Sequence, residues 1–344
     1  MKKYLITGGA GFLGSILKKE LVKDSFVVSI DIIKDDFKHE NFESVTGDIT
    51  DKKILDKLCK KHHFDAIFHL AAFLAHEVKN KKQLWKNNVD GTQNIVDLAI
   101  KNKCKKIIFT SSNCLWGKNF EYEVTEEEVP SPIEIYGKSK LECEKILINS
   151  KDKLNSVIFR CPTIMDEGRL GLLSLLFEFI DDGKKIPIVG NGNNRYQFIY
   201  AKDLCTAMKL SLDYNETDIF NIGSKNVKTF NEVYNYVIEK SGSKSRLFHF
   251  PKLFMIICMK IAYALRISPL GPYQYKMISS SFVFDTEKIK SKLGFNPTLS
   301  NEEMLLKAYN YYHENRQEIE HRENVSAHNR GVKMGVIKIL KWFM

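Results

Sequence analysis

Short apolar runs alternate with amphipathic stretches along the first 150 residues. KYLIT is followed by FLGSILKKELVKD, FVVSID by ILDKLCKKH, AIFHLAA by QLWKNNVDGTQNIVDLAIKN, and KIIFTSS ends the series. Short β-branched and aromatic runs predict buried strands, and the longer stretches with apolar positions three and four apart predict helices. The alternation predicts an α/β fold with a doubly wound parallel sheet. A further unit follows, with a helix from about 139 to 150 and the strand-like run SVIFRCP. Beyond Pro162 the rhythm changes: RLGLLSLLFEFIDDG reads as a helix, KIPIVG as a strand, FIYAKDLCTAMKLSL as a strand entering a helix, and DIFNIG as another strand. These predict a first domain over 1–165, a smaller α/β substrate lobe over 166–312 with segments returning to the first domain, and a tail over 313–344.

Two later stretches break the pattern. PKLFMIICMKIAYALRI, residues 251–267, is strongly apolar yet carries Lys260 and Arg266, and GVKMGVIKILKWFM, 331–344, combines apolar residues with spaced lysines behind a polar extension. Each could lie on a membrane surface as a basic helix; packing within the second lobe is the favoured reading of the first, and a flexible extension the other reading of the tail. No apolar run reaches the roughly 18 to 20 residues needed to span a bilayer. Met1-Lys2-Lys3 leads straight into a strand, so no secretory leader is expected and the chain is read as cytoplasmic, with attachment at the inner membrane face the other option. Seven cysteines, an odd number with no CxxC pair, argue against a disulfide framework or a zinc site and for a reducing compartment. No metal is expected. A formal charge of +10 favours phosphate-bearing or membrane partners, and no nucleic-acid module accompanies it.

The first strand runs into TGGAGFLG, with glycines at 8, 11 and 14. A glycine turn between strand and helix lets backbone N–H groups approach a pyrophosphate, which the helix N-terminus also favours. The spacing is GxxGxxG rather than GxGxxG, and a tight packing turn would look the same. Asp31 ends the next strand, FVVSID, where its carboxylate suits the adenosine ribose hydroxyls. A 2′-phosphate would be repelled there, with Lys34 the nearby cation, so NAD is expected over NADP. A strand-end turn residue is the alternative role for Asp31.

TGGAGFLG, Asp31, GDITD (47–51), HLAA (69–72) and NNVDGT (87–92) resemble, in order and spacing, the cofactor-domain motifs of the extended short-chain dehydrogenase/reductase superfamily and its NAD-dependent sugar epimerase/dehydratase members. The resemblance covers about residues 1 to 312. It implies a Rossmann domain in which Gly8, Gly11, Phe12 and Leu13 form the turn against the cofactor, Asp48 and Ile49 flank the adenine, and Leu70, Ala71 and Ala72 let the backbone approach. Asn88 would organise the active site. Read singly, Asp48 also suits a helix cap, the alanines the core, and Asn88 an internal polar group of a helix. The superfamily often dimerises through the helices after Asn88 and Tyr136, which implies a homodimer.

Tyr136 and Lys140, in EIYGKSKLECEKIL, are four residues apart and share a helical face. A tyrosine with an ordinary pKa near 10 serves as a base at neutral pH only where positive charge stabilises its phenolate. Lys140 supplies that charge, and Ser112 can hold the same substrate hydroxyl. The superfamily places its catalytic hydroxyl four residues before an aromatic-glycine pair, here Trp116-Gly117, which selects Ser112 over Ser111. Dehydratases of the family carry an Asp-Glu pair directly after that hydroxyl; here Asn113-Cys114 follow. Cys114 matches a proton-exchange position of some epimerase-reductases, but the histidine that usually partners it is not identified in this sequence, and a small buried thiol is the favoured reading. Arg160 resembles the crossing into the substrate lobe, with Thr163 where asparagine is usual. Arg195 resembles a diphosphate-binding arginine, offset by one residue, and Ser279–Ser281 stand where a second such arginine is common. The resemblance implies an NAD-dependent isomerase of polysaccharide biosynthesis that epimerises a diphospho-sugar, nucleotide-linked or polyprenyl-linked, with Ser112, Asn113, Thr163 and Arg195 toward the sugar diphosphate. A reductase or dehydrogenase of a nucleotide sugar is the main alternative, and a nucleotide-sensing binding protein a minor one.

Overall fold

The computed structural model describes residues 1–74, 80–265, 267, 272–320 and 341. The elements are, in chain order, β1 (Lys3–Thr7), α1 (Phe12–Leu21), β2 (Phe26–Asp31), β3 (Phe42–Thr46), α2 (Lys52–Lys61), β4 (Ala66–His69), α3 (Lys81–Trp85), α4 (Gly91–Lys101), β5 (Lys106–Ser112), α5 (Ile135–Asn149), β6 (Asn155–Cys161) and β7 (Thr163–Met165). They continue with α6 (Leu173–Asp181), β8 (Lys185–Val189), β9 (Phe198–Tyr200), α7 (Ala201–Leu210), β10 (Asp218–Asn221), α8 (Phe230–Ser241), β11 (Arg246–Phe250), α9 (Lys252–Ala264), α10 (Pro272–Ser279), α11 (Glu287–Leu293) and α12 (Asn301–Glu320).

Seven parallel strands form the main sheet in the order β3-β2-β1-β4-β5-β6-β10. This is the Rossmann order, extended by a strand from beyond the second lobe's first elements. Because helices cover both faces, the central strands are apolar on both sides rather than alternating. Leu17 and Leu21 of α1 with Leu204 and Met208 of α7 pack on one face, around Phe68 and Phe159. Leu55, Ile95, Leu98 and Leu147 from α2, α4 and α5 pack on the other, around Leu5, Ile67 and Phe109. Fully burying each such side chain stabilises the fold by about 1.5–3 kcal/mol. The second lobe has its own core, in which Phe177, Tyr309 and Tyr312 join α6 and α12 and Phe230 and Val233 add α8. Its strand pairs are short and parallel, β8 with β11 and β7 with β9.

Several local features differ from the sequence expectation. The stretch read as one helix from Gln83 contains a π turn, Lys86–Asp90, between α3 and α4. α5 begins at Ile135, ahead of the start near 139 read from the apolar pattern, and so includes Tyr136 as its spacing from Lys140 requires; Glu134 gives no side-chain cap. β3, FESVT, is an unpredicted edge strand, half exposed and without a continuous apolar run. The stretch 251–267 contains a helix that packs through one side only, Met259 being its buried residue. No helix among the described residues is long and apolar enough to cross a membrane. Of the 331–344 tail only Lys341 lies among the described residues; it pairs with Glu178 at 2.6 Å and with Asp182.

Candidate active site

The carboxyl ends of β2, β1 and β4 are locked together by backbone hydrogen bonds: Gly8 N donates to Ile30 O (2.9 Å) and Leu70 N to Thr7 O (3.1 Å). Gly8 turns the chain at φ +77°, and a Cβ there would lie 2.8 Å from Ala71 N. Only glycine fits both the left-handed backbone and that approach. Gly11 N donates to Gly8 O at 3.2 Å and opens α1, whose first residues, Phe12 and Leu13, are buried beneath the turn. Lys18, itself buried, donates to Gly9 O (3.2 Å) and pairs with buried Asp35, which ties α1 to its own turn. The sequence reading did not find that support.

Asp31 faces the turn. Its carboxylate accepts from Ala10 N and Ile33 N, both at 3.0 Å, and burial raises its pKa against the pull of those N–H groups. A carboxylate oxygen retains lone pairs for ribose hydroxyls after one such bond. Lys34, the cation expected nearby, is paired with Asp36 at 2.9 Å, and Asp35 adds a further negative charge beside Asp31. The pocket therefore fits two ribose hydroxyls better than a 2′-phosphate. Asp48 closes a local turn by accepting from Thr50 N (2.8 Å), while Asp51 caps α2. Ile49 is buried, and its carbonyl accepts from Asn94 Nδ2 at 3.1 Å. Leu70, Ala71 and Ala72 leave β4 half buried along the same edge. The cradle of Gly8 and the carboxylate of Asp31 fit a dinucleotide laid across this edge.

Ser112 ends β5, and its Oγ accepts from Cys114 N at 3.1 Å. The loop it opens is pressed onto the first turn of α5: a Cβ on Gly137 would come 2.1 Å from Cys114 O. That contact fixes Ser112 relative to Tyr136. One turn on, Lys140 is buried, donates to Thr110 O at 2.8 Å, and has its Nζ 5.9 Å from the Tyr136 ring centroid. Burial lowers its ammonium pKa. Asn88, in the π turn, donates to Ser139 Oγ (3.0 Å) and Phe73 O (3.1 Å) and accepts from Phe73 N (2.7 Å). Widened helical turns of this kind recur at functional sites, and here the π turn aims an amide at the helix between Tyr136 and Lys140.

A polar chain not apparent from the sequence braces both halves. Ala71 N donates to Thr7 Oγ1 (3.2 Å), which lies 2.7 Å from His69 Nδ1; His69 Nε2 lies 2.9 Å from Thr92 Oγ1, which donates to Asn88 O at 2.6 Å. The hydroxyl directions assign the proton of His69 to Nε2. Burial, and secondarily the charge of Lys140, push this histidine down to about 3, so it is neutral.

Beyond Ser112 lies a pocket walled by Asn113, Trp116 and Lys118 on one side and by Met277, Ser280 and Phe282 on the other. Tyr196 stands between them: its hydroxyl accepts from Asn113 Nδ2 at 2.7 Å and lies 3.5 Å from Thr163 Oγ1. Asn113 and Thr163 are thus brought together by a residue that sequence reasoning missed, although its neighbour Arg195 was singled out. The side chain of Arg195 is exposed, and its backbone meets the rim, with Arg195 N donating to Ser281 Oγ at 3.1 Å. Trp116 packs on Phe282 and Phe284 and under Arg160. Arg160 makes a buried two-pronged pair with Glu144 (2.9 and 3.2 Å) and donates to Glu126 O (2.9 Å). It holds α5, β6 and the pocket loop together.

The family described as NAD dependent epimerase/dehydratase matches residues 4–223. A Sinorhizobium fredii protein without an assigned activity is 33% identical over 99% of this chain and 86% of its own. A UDP-N-acetyl-alpha-D-glucosaminuronate decarboxylase of Bacillus cytotoxicus is 28% identical over 91% of this chain and 98% of its own. An N-acetyl-alpha-D-glucosaminyl-diphospho-ditrans,octacis-undecaprenol 4-epimerase of Escherichia coli is 30% identical over 68% of this chain and 66% of its own. With the match spanning the glycine turn, Ser112, Tyr136 and Lys140, the chain belongs to the NAD-dependent epimerase/dehydratase family within the extended short-chain dehydrogenase/reductase superfamily.

Proposed function

We propose that the protein epimerises a diphospho-sugar through a transient keto sugar. The observation that carries this reading is the placement of Ser112, Tyr136 and Lys140 at one end of the crevice, beside a pocket whose first residue after Ser112 is Asn113. When bound, NAD supplies a reversible hydride acceptor. Tyr136 Oη takes the proton of the sugar hydroxyl, and the Lys140 ammonium stabilises the resulting phenolate in a low-dielectric site. Ser112 Oγ holds that hydroxyl while its carbon changes hybridisation. Tyr136 returns the proton after the keto sugar has turned within the pocket. Asn113 and Thr163, joined through Tyr196, hold the sugar ring, and Arg195 reaches the diphosphate from the rim.

Two relatives with named activities act on sugars carried by a diphosphate, one on a nucleotide and one on a polyprenol. Decarboxylation would call for a cation against a sugar carboxylate. Among the described residues lining the pocket Lys118 is the charged one, and it is paired with Glu128 at 2.7 Å. Elimination would call for the acid and base that Asn113-Cys114 replace. The protein acts as a homodimer in this reading.

Anaerobic incubation with UDP-N-acetylhexosamines and their polyprenyl-diphosphate counterparts tests the proposal by mass spectrometry and NMR. Interconversion at unchanged mass without added nicotinamide is expected. Stoichiometric accumulation of NADH would instead establish a dehydrogenase. Tyr136→Phe is expected to lower turnover roughly a thousandfold while NAD affinity stays within about twofold; full activity in this variant would remove the proposed base.

A further inference from the structure

α9 presents an apolar stripe to solvent. Leu253, Phe254, Ile257, Ile261 and Leu265 are 72%, 57%, 48%, 55% and 63% exposed. Their spacing of one, four, eight and twelve residues from Leu253 puts them along one side of the helix. Met259 is buried on the opposite side, and α10 packs against the helix. A continuous apolar stripe of this length marks an interaction surface rather than ordinary surface scatter.

Charge identifies the occupant. From Lys240 to Phe284 the sequence has seven cations and no aspartate or glutamate. Lys244, Arg246, Lys252 and Lys260 are exposed, and none pairs with a carboxylate among the described residues. A second copy placed face to face would set these cations against their own counterparts, with no carboxylate in the segment to answer them. The chain's own tail is also basic, and Lys341 sits on Glu178 and Asp182, just before β8. α9 follows β11, which runs parallel to β8 from Arg246 beside Lys185 to Phe250 beside Val189. Lys341 and α9 therefore lie at opposite ends of that strand pair. An apolar stripe flanked by unanswered cations fits the headgroup and acyl boundary of an anionic bilayer.

Position adds a reason. α10 leads from α9 to the pocket, where Met277 and Ser280 line the wall, and Tyr275 lies within electrostatic reach of both Tyr263 on α9 and Glu134 at the start of α5. The stripe is thus one helix away from the substrate pocket. We propose that the exposed face of α9 docks the protein on an anionic lipid bilayer and holds the mouth of the substrate pocket at the membrane surface. This attachment does not depend on which reaction the site performs.

Co-sedimentation of the full chain with phosphatidylcholine vesicles, with and without phosphatidylglycerol, tests it. Binding to the anionic vesicles alone is expected. Ile257→Glu should weaken it at least about tenfold, and Lys252→Gln with Lys260→Gln about fivefold per cation removed. Because these side chains are exposed, melting temperature and NAD affinity should stay at the wild-type values; Trp342→Glu in the tail should leave vesicle binding unchanged. Three results would each overturn the proposal: a wild-type chain that ignores anionic vesicles, an Ile257→Glu variant that binds them fully, or binding lost with Trp342→Glu but kept with Ile257→Glu. Conversion of a dimer to a monomer by Ile257→Glu, with vesicle binding intact, would assign the face to a second copy.

Discussion

The two ends of the crevice are built from different materials. At the cofactor end, backbone atoms do the shaping: Gly8 against Ala71 N, Ala10 N and Ile33 N on Asp31, and Lys18 on Gly9 O. At the end where we propose that the sugar binds, side chains from four distant segments meet at the Tyr196 hydroxyl and the wall around it. A backbone-shaped site tolerates almost no change at its glycines, because the clash is with main-chain atoms that cannot swing away. A side-chain site can exchange one contact at a time, which lets a family keep its cofactor while its sugars vary.

The largest test of this contrast is Gly8→Ala. The added Cβ meets Ala71 N in a left-handed backbone, a strain of about 3 kcal/mol. NAD affinity measured by calorimetry is expected to fall roughly a hundredfold, or the melting temperature to drop correspondingly. Unchanged affinity would mean that the turn yields as readily as a side-chain wall.

His69 gives an intermediate effect. The unfolded chain takes up a proton near the ordinary histidine value of 6.5, whereas the folded chain resists until about 3. The unfolded state thus binds more protons between those values, and stability falls on acidification through that window by about 1.4 kcal/mol per pH unit. Between pH 7 and 5 the loss is about 2 kcal/mol. Denaturant melts of wild type and His69→Gln over this range should show a steeper acid loss in wild type; parallel curves would mean that His69 is not held neutral.

The smallest effect is expected from Tyr196→Phe. It removes one acceptor from the Asn113 amide, at a cost of about 1 kcal/mol. KM for the sugar should rise about fivefold with kcat and NAD affinity nearly unchanged. A loss of NAD affinity comparable to that of Gly8→Ala would erase the distinction between the two ends.

The same contrast governs what the sequence disclosed. TGGAGFLG, Asp31 and the Tyr136–Lys140 pair were legible because backbone approach and helical spacing restrict residue types at fixed positions. Tyr196 was not, because its partners, Asn113 and Thr163, come from elsewhere in the chain and only folding brings them together. β3 escaped because an edge strand half open to solvent needs no apolar run. The π turn around Asn88 escaped because it leaves the apolar pattern on either side intact. For α9 the sequence showed apolarity and left two packings open. The structure shows α10 packed against it, Met259 buried on one side, and the other side facing outward.

Finally, the chain passes between the lobes repeatedly. After β7 and α6 it comes back through β9 and α7 to lay β10 on the main sheet, leaves again for α8, and returns through α11, whose Ile289 packs in the core around Phe68. With β10 beside β6 and α7 covering α1, cutting after residue 165 would strip the first domain of an outer strand and part of its roof. The halves are therefore not modules that evolution or an engineer could exchange at a single seam. A different sugar specificity is easier to reach by altering the pocket walls in place than by grafting a new second lobe.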